Sequence, residues 1–242
     1  QNQTLTSEIT GYAAAALDKI GSLYFSKEGY DDFYLGKGAA YGDIHGSVGI
    51  LYEQVASRGY ARPLPVGVLT FPATVRNQSY AAFMTVYASY NMKGKLLDYQ
   101  RNFYKDVQRQ WAKDPLKGYV FNTGGRKAIE YHFLKNMASH QIDVYKLKKD
   151  IRQGEKSFGK EDSYIIPLQQ KSYLKIKAMW ENMTEFADSV FYDISTWTFP
   201  HAYNLEYSRL SSVEGLVGEK VEDIVFPQGA VIGGKAKYAY VF

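Results

Sequence analysis

The sequence contains no cysteine, and that absence removes three kinds of chemistry together. Disulfide bonds, thiolate metal sites and cysteine nucleophiles all require this residue. Long apolar runs are also missing, because no stretch approaches the roughly 20 residues that a membrane-spanning helix needs. The sequence therefore predicts a chain without a membrane span and without any activity that depends on a thiol.

The chain also carries little net charge. The net charge is only +4 over 242 residues, and the lysines are spread over several segments. Charge therefore does not indicate nucleic-acid binding. Hydrophobic content of 45% and charged content of 22% are typical of a folded globular protein, and the length allows one large domain or two ordinary ones.

The chain begins at Gln1, without Met and without a basic-then-apolar leader. We therefore expect a processed chain or an excised piece of a longer one. Tyrosine is abundant, at 22 residues. This abundance fits a partly exposed aromatic surface, although tyrosine also packs in ordinary cores.

The most informative stretch is Gly36–Gly59, which reads GKGAAYGDIHGSVGILYEQVASRG. A glycine-spaced loop leads into the apolar run Val48–Tyr52, which predicts a short buried strand. Glu53 follows at the end of this run. A carboxylate there must be paired, solvated or chemically active, because burial without a partner is costly. The structural alternative is a salt bridge with Arg58 or a nearby lysine.

The sequence around this stretch resembles the closing part of the catalytic domain in bacterial zinc carboxypeptidases of the M14 family. The residues that carry the resemblance read GSLYFSKEGYDDFYLGKGAAYGDIHGSVGILYEQVASRG. The resemblance is closest to large exported forms that carry a glutamine-amidotransferase-like domain after the peptidase, and it covers roughly residues 12 to 60. It implies that Tyr34 is the loop tyrosine that contacts substrate and that Glu53 is the general acid/base. It also implies an exported protein that acts on peptides.

The family binds zinc through a His-x-x-Glu pair and a later histidine, all upstream of the tyrosine and glutamate. None of the four histidines here begins that pattern. His140 to Asp143 comes nearest, but chance explains it better, and His45 is most simply a turn residue. We therefore expect zinc in an intact parent protein, no metal ligands in this chain, and no peptidase activity from this chain alone.

Further along, a proline-free stretch from Ser79 to Trp111 predicts one long helix. Phe83, Tyr90 and Leu97 begin a seven-residue aromatic and apolar repeat that continues through Tyr104 and Trp111. Such a stripe is typical of a packing face. Asp114-Pro115 should end the helix. The predicted organisation is the end of a mixed-sheet peptidase-like domain at 1–76, a connecting helix at 77–115 and an α/β domain at 116–242.

Strands alternate with helices after residue 116, which predicts a parallel or mostly parallel, doubly wound sheet. The resemblance to the long carboxypeptidases implies that this is a flavodoxin- or amidotransferase-like domain. The segment Asp188–Pro200 also resembles part of the amidotransferase-like domain of the same long carboxypeptidases. Amidotransferase activity itself is excluded in the region present, because its nucleophile is a cysteine. The second domain is expected to be incomplete.

Two other interpretations stay open. The turn Asn122–Arg126 opens a helix with two glycines and could hold a phosphate, as in a nucleotide-binding α/β protein. The Walker and dinucleotide patterns are absent, so a structural turn is favoured. Alternatively, the chain is a non-catalytic module that binds peptide or glycan, or serves as a scaffold, through its tyrosine-rich surface.

Overall fold

The structure is a computed structural model that describes residues 1–25, 35–182, 184–185, 198–230 and 238. The described helices are α1 (Asn2–Lys19), α2 (Gly38–Asp43), α3 (Phe71–Asn91), α4 (Lys93–Lys113), α5 (Lys127–Ser139), α6 (Tyr173–Trp180) and α7 (Phe199–Ala202). The described strands are β1 (Ala61–Leu64), β2 (Gly67–Thr70), β3 (Gly118–Asn122), β4 (Tyr145–Leu147), β5 (Ile151–Gln153), β6 (Lys156–Phe158), β7 (Ser163–Pro167), β8 (Glu206–Leu210) and β9 (Val217–Lys220). The general expectation of an α/β chain is confirmed.

The chain divides into two units. The first comprises Gln1–Lys113 and Lys171–Thr198, and the second comprises Asp114–Gln170 and Phe199–Phe242. Both long helices, α3 and α4, therefore belong to the first unit, and the chain returns to that unit at α6. No helix in the described ranges is both long and apolar enough to cross a membrane.

The core of the first unit forms where α1 packs against α3. Leu5 and Ile9 of α1 meet Ala88 of α3 and Met92 just beyond it, and all four side chains are buried. Burial of each large aliphatic side chain contributes about 1.5–3 kcal/mol. The small Ala88, with no exposed surface, lets the two helices approach closely.

The start of α3 is fixed by its sequence. The hydroxyl oxygen of Thr70 accepts a hydrogen bond from the backbone N–H of Ala73 at 3.3 Å, and Pro72 occupies the first turn. Threonine is a favoured N-cap, and proline is tolerated in the first turn because its missing N–H has no helical partner there. Strand β2 runs directly into this cap.

The single long helix predicted from Ser79 to Trp111 is wrong. The helix breaks at Met92, which separates α3 from α4. Next to the break, the side-chain amide of Asn91 donates to the Tyr87 carbonyl at 2.8 Å. Gly94 follows, and glycine is a poor helix former. The expected end at Asp114-Pro115 is confirmed, because α4 ends at Lys113.

The predicted core position of the aromatic stripe is also wrong for its first half. Phe83, Tyr90 and Leu97 are 72%, 78% and 56% exposed. The periodicity is real, but the face of α3 that packs on α1 is the opposite one, which carries Ala81 and Ala88. The first unit therefore presents an apolar helix face that nothing in the described part of the chain covers.

The second unit is built on a five-stranded sheet in the order β8-β3-β7-β4-β9. Every neighbouring pair in it is antiparallel. The predicted parallel, doubly wound sheet is therefore wrong. β3 and β4 do run parallel to each other around helix α5, as expected of a β-α-β unit. However, β7 lies between them and pairs antiparallel with both.

The antiparallel direction of β7 results from the connection after β4. Instead of a helix, the chain forms the hairpin β5–β6, with Gly154 at a φ of +61° in its turn. This hairpin sends the chain back as β7 in the reverse direction. Buried side chains from the sheet and hairpin form the core of this unit: Val120, Leu147, Phe158, Ile165, Leu210 and Leu216. Helix α5 covers the sheet through Phe133, whose ring lies 4.9 Å from that of Phe121.

Candidate functional site

The region expected to carry the site is an extended segment, residues 47–57, that follows α2 in the first unit. Within the described residues it pairs with no other strand, so the predicted Val48–Tyr52 strand is wrong as a sheet member. From Ile50 to Val55 its burial nevertheless alternates with a period of two. Ile50, Tyr52 and Gln54 are half-buried, whereas the residues between them are exposed. This alternation is what an extended chain with one covered face produces.

The covered face of this segment is bound to α3 by polar contacts. The amide of Gln78 donates to the Tyr52 carbonyl at 3.3 Å, and the Thr85 hydroxyl donates to the Tyr52 hydroxyl at 3.2 Å. Asn77 donates to the side-chain oxygen of Gln54 at 3.4 Å. These contacts fix which side of the segment faces α3, and so they also fix which side faces outward.

Glu53 lies on the outward side, between Leu51 and Val55, which are 49% and 52% exposed. Glu53 is itself exposed and forms no ion pair or hydrogen bond with any described residue. The alternative of a salt bridge with Arg58 is therefore not realised in the described structure. Two exposed aliphatic side chains beside an unpaired carboxylate form a surface that is partly apolar and partly negative.

Tyr34, the residue expected to contact substrate, lies outside the described residues. The structure consequently assigns no distance between Tyr34 and Glu53, and the role of Tyr34 stays a prediction.

The start of the segment is anchored to α2 by a very close backbone approach. A Cβ atom added at Gly49 would lie 2.0 Å from the Ala39 carbonyl oxygen, so only glycine fits. The backbone N–H of Gly49 donates to the Asp43 carboxylate at 2.7 Å. That carboxylate also accepts a hydrogen bond from Asn2 at 3.0 Å. Helix α2 and the first residues of the segment are therefore held together as one piece.

A second cluster in the first unit joins α6 to the loop after α2. The Nζ atom of Lys175 lies 3.1 Å from Nε2 of His45, and Nδ1 of His45 lies 2.7 Å from the Tyr41 carbonyl oxygen. Lys175 is only 3% exposed, and its Nζ atom also lies 5.7 Å from the centre of the Tyr41 ring. Burial lowers the pKa of the Lys175 ammonium below its ordinary value.

Sequence reasoning missed Lys175 entirely. His45 was expected to be a turn histidine, and it does lie in the turn after α2. Its partner is 130 residues away in the chain, so nothing close to His45 in the sequence indicates the contact. A buried lysine with a lowered pKa beside an imidazole is an arrangement found at functional sites. It also occurs in purely structural networks.

The described residues hold no group of three histidine, aspartate or glutamate side chains placed to bind a metal ion. The His140–Asp143 pair, the nearest approach to a zinc motif, is engaged elsewhere. His140 ends α5, and the Asp143 carboxylate forms an ion pair with Lys220 at 2.7 Å. The described residues therefore do not fit a zinc centre.

The glycine turn at Asn122–Arg126 is closed by its own hydrogen bonds. The side-chain oxygen of Asn122 accepts from the Gly124 N–H at 3.0 Å, and Arg126 donates to the Thr123 carbonyl at 2.7 Å. Arg126 also donates to the Asn204 carbonyl. The amide nitrogen of Asn122 bonds to the Glu206 carboxylate at 3.3 Å, which places a negative charge near the turn. These contacts favour the structural interpretation over phosphate binding.

Comparison with protein-family models, with characterised proteins and with solved structures finds no match for this chain.

Proposed function

We propose that this chain is part of a longer zinc carboxypeptidase of the M14 type, in which Glu53 is the general acid/base for hydrolysis of a peptide bond at a C-terminus or in a cell-wall-type peptide. The sequence of residues 12 to 60 suggests this function. The structural observation that best supports it is the position of Glu53, which is exposed on the outward face of an extended segment and pairs with none of the described residues. A general acid/base must be accessible to the substrate and to the attacking water, and an exposed carboxylate meets that requirement.

The surface around Glu53 also has the properties of one that another part of the proposed parent protein covers. Leu51 and Val55 flank the carboxylate and are half exposed, and the segment that carries all three has no strand partner among the described residues. Exposed apolar patches mark sites that another surface covers. On this proposal, the metal-holding part of the parent protein pairs with the segment and turns the surface around Glu53 into a cleft.

In such a cleft Glu53 would take a proton from the attacking water and later deliver it to the leaving amine. A carboxylate performs both steps well when its surroundings are partly desolvated. Tyr34 would close over the end of the substrate and donate a hydrogen bond. The zinc ligands would lie in the rest of the parent, so the present chain alone is expected to be inactive. The exported location and the amidotransferase-like nature of the second unit stay predictions.

The test compares two proteins under identical conditions. One is the present chain, and the other is the parent polypeptide that includes the residues preceding Gln1. Both are assayed for bound zinc and for release of C-terminal amino acids from short peptides. The proposal expects zinc and hydrolysis in the parent and neither in the present chain. A parent that neither retains zinc nor hydrolyses any peptide would overturn it.

A non-catalytic binding module is the second candidate, and the exposed face of α3 favours it. Phe83 and Tyr90 are both more than two-thirds exposed, and aromatic side chains of this kind are suited to stack on sugars or pack on peptides. This candidate expects peptide or glycan binding by the present chain that is lost in the Phe83→Ser, Tyr90→Ser double variant. The peptidase proposal expects no such binding.

A further inference from the structure

The polar contacts of His45 define which of its ring nitrogens carries the proton. The Tyr41 carbonyl can only accept a hydrogen bond, so Nδ1 at 2.7 Å must carry a hydrogen and donate it. In a neutral ring Nε2 then has a free lone pair, and Lys175 donates to it at 3.1 Å. While Lys175 is protonated it can only donate, so both contacts together then require the neutral imidazole.

The two residues of this hydrogen bond differ in the protonation states that allow it. Lys175 can donate whether its amine is charged or neutral, because both forms carry N–H groups. His45 can accept at Nε2 only while the ring is neutral, because protonation uses the lone pair. After protonation the imidazolium and the lysine would place two positive groups at hydrogen-bond distance in a largely buried setting, where repulsion is strong.

We propose that the Lys175–His45 hydrogen bond is a proton-operated clasp, closed when His45 is neutral and opened by acid, that holds α2 and its following loop against α6. The titratable groups that face His45 from the described elements are Tyr41 of α2, Tyr104 of α4 and Lys175 of α6. Tyr104 donates to the backbone carbonyl of His45 at 3.3 Å. None of these three supplies a negative charge at neutral pH that would favour the imidazolium.

The clasp acts on a defined part of the chain, the piece from Gly38 to Gly49. Gly46 follows His45, and a Cβ atom there would lie 2.8 Å from the ring of Phe103, so the loop is closely packed on α4 as well. Gly49, three residues further, is joined to α2 through Asp43. A change at His45 therefore acts on the whole piece from Gly38 to Gly49, which leads directly into the segment that carries Glu53. The clasp itself does not depend on the peptidase proposal.

Hydrogen–deuterium exchange of the present chain tests the clasp directly. The protection of the Gly38–Gly49 amides is measured at about pH 7.5 and about pH 5, either side of the range in which an imidazole gains its second proton. Each rate is divided by that of the unfolded chain at the same pH. We expect protection to fall about tenfold in acid, the effect of losing one charge-assisted hydrogen bond. The β7 amides of the second unit serve as an internal reference.

Two variants separate the clasp from general acid sensitivity. His45→Gln keeps a donor and an acceptor but does not titrate, so the fall in acid should disappear. Lys175→Met removes the donor, so the Gly38–Gly49 amides should be poorly protected at both pH values. If Lys175→Met fails to fold, the His45→Gln result decides alone. An unchanged pH response in His45→Gln, or nitrogen chemical shifts showing the proton on Nε2 at about pH 7.5, would overturn the proposal.

Discussion

Gly49 and Ala39 are in such close contact that a Cβ atom at residue 49 would come within 2.0 Å of the Ala39 carbonyl oxygen. Two backbones can approach this closely only where one residue has no side chain. The contact joins α2 to the extended segment. It therefore fixes the position from which the segment runs on to Glu53. It is the most restrictive packing constraint near the candidate site.

The first prediction follows from this contact. Gly49→Ala should lower the free energy of unfolding by about 2–4 kcal/mol, because neither backbone can move without disturbing the piece from Gly38 to Gly49. Urea denaturation of the present chain measures this. Gly11→Ala is the matched control, since Gly11 lies inside α1 with nothing within 4 Å of a built Cβ. The control should stabilise by about 0.5–1 kcal/mol. Equal effects at the two positions would contradict the packing.

The second prediction concerns the buried amine of Lys175. Burial lowers the pKa of Lys175 in the folded state, so between that lowered pKa and the ordinary value the unfolded chain binds more protons than the folded one. Stability contributed by this residue therefore rises with pH across that alkaline window and is lowest at neutral pH. The stability of Lys175→Met relative to wild type should therefore be greatest at neutral pH and fall as the pH approaches the ordinary lysine value.

The measurement is a pair of urea denaturation series from neutral to alkaline pH, analysed as the difference between variant and wild type. Lys171→Met, at an exposed position just before α6, is the control, and its difference should not change with pH. A pH-independent difference for Lys175→Met as well would show that its amine is not desolvated.

Much of the local structure was predictable because its determinants are adjacent in sequence. Asp114-Pro115 ends α4, and the apolar runs around Val120 and Ile165 form β3 and β7. The apolar residues of α5 are likewise spaced as on one face of a helix, and Phe133 on that face is buried. In each of these elements, the nearest neighbours in the chain decide the backbone conformation.

The failures arose where the outcome depends on distant partners. The prediction of a parallel sheet was wrong because the hairpin β5–β6, rather than a helix, returns the chain to β7. Nothing within β7 itself distinguishes a parallel from an antiparallel neighbour. Lys175 was missed because its partner His45 is supplied from another part of the chain.

The aromatic stripe illustrates a third kind of failure and leads to the third prediction. Its periodicity marks a face that can pack, but Phe83 is 72% exposed in the structure. Phe83→Gln should therefore change the stability of the present chain by less than about 0.5 kcal/mol, as is usual for surface positions. Ala88→Leu on the opposite, buried face should cost about 1–3 kcal/mol through overpacking.

Thermal unfolding of both variants checks this assignment of faces. A large loss of stability in Phe83→Gln, with little effect in Ala88→Leu, would mean that α3 packs on the other side. Such a result would also remove the exposed aromatic surface on which the binding-module candidate depends.

The peptidase proposal is tested most directly by replacing Glu53 with Gln in the parent polypeptide and measuring kcat for release of a C-terminal amino acid. The change keeps the size of the side chain and removes its ability to take and return a proton. Glu155→Gln, at an exposed position in the β5–β6 hairpin, is the matched control. We expect kcat to fall by about 10²–10⁴-fold in Glu53→Gln, with zinc content unchanged, and to stay at the wild-type value in the control. A Glu53→Gln parent that hydrolyses peptide at the wild-type rate would contradict the assignment of Glu53 as the general acid/base.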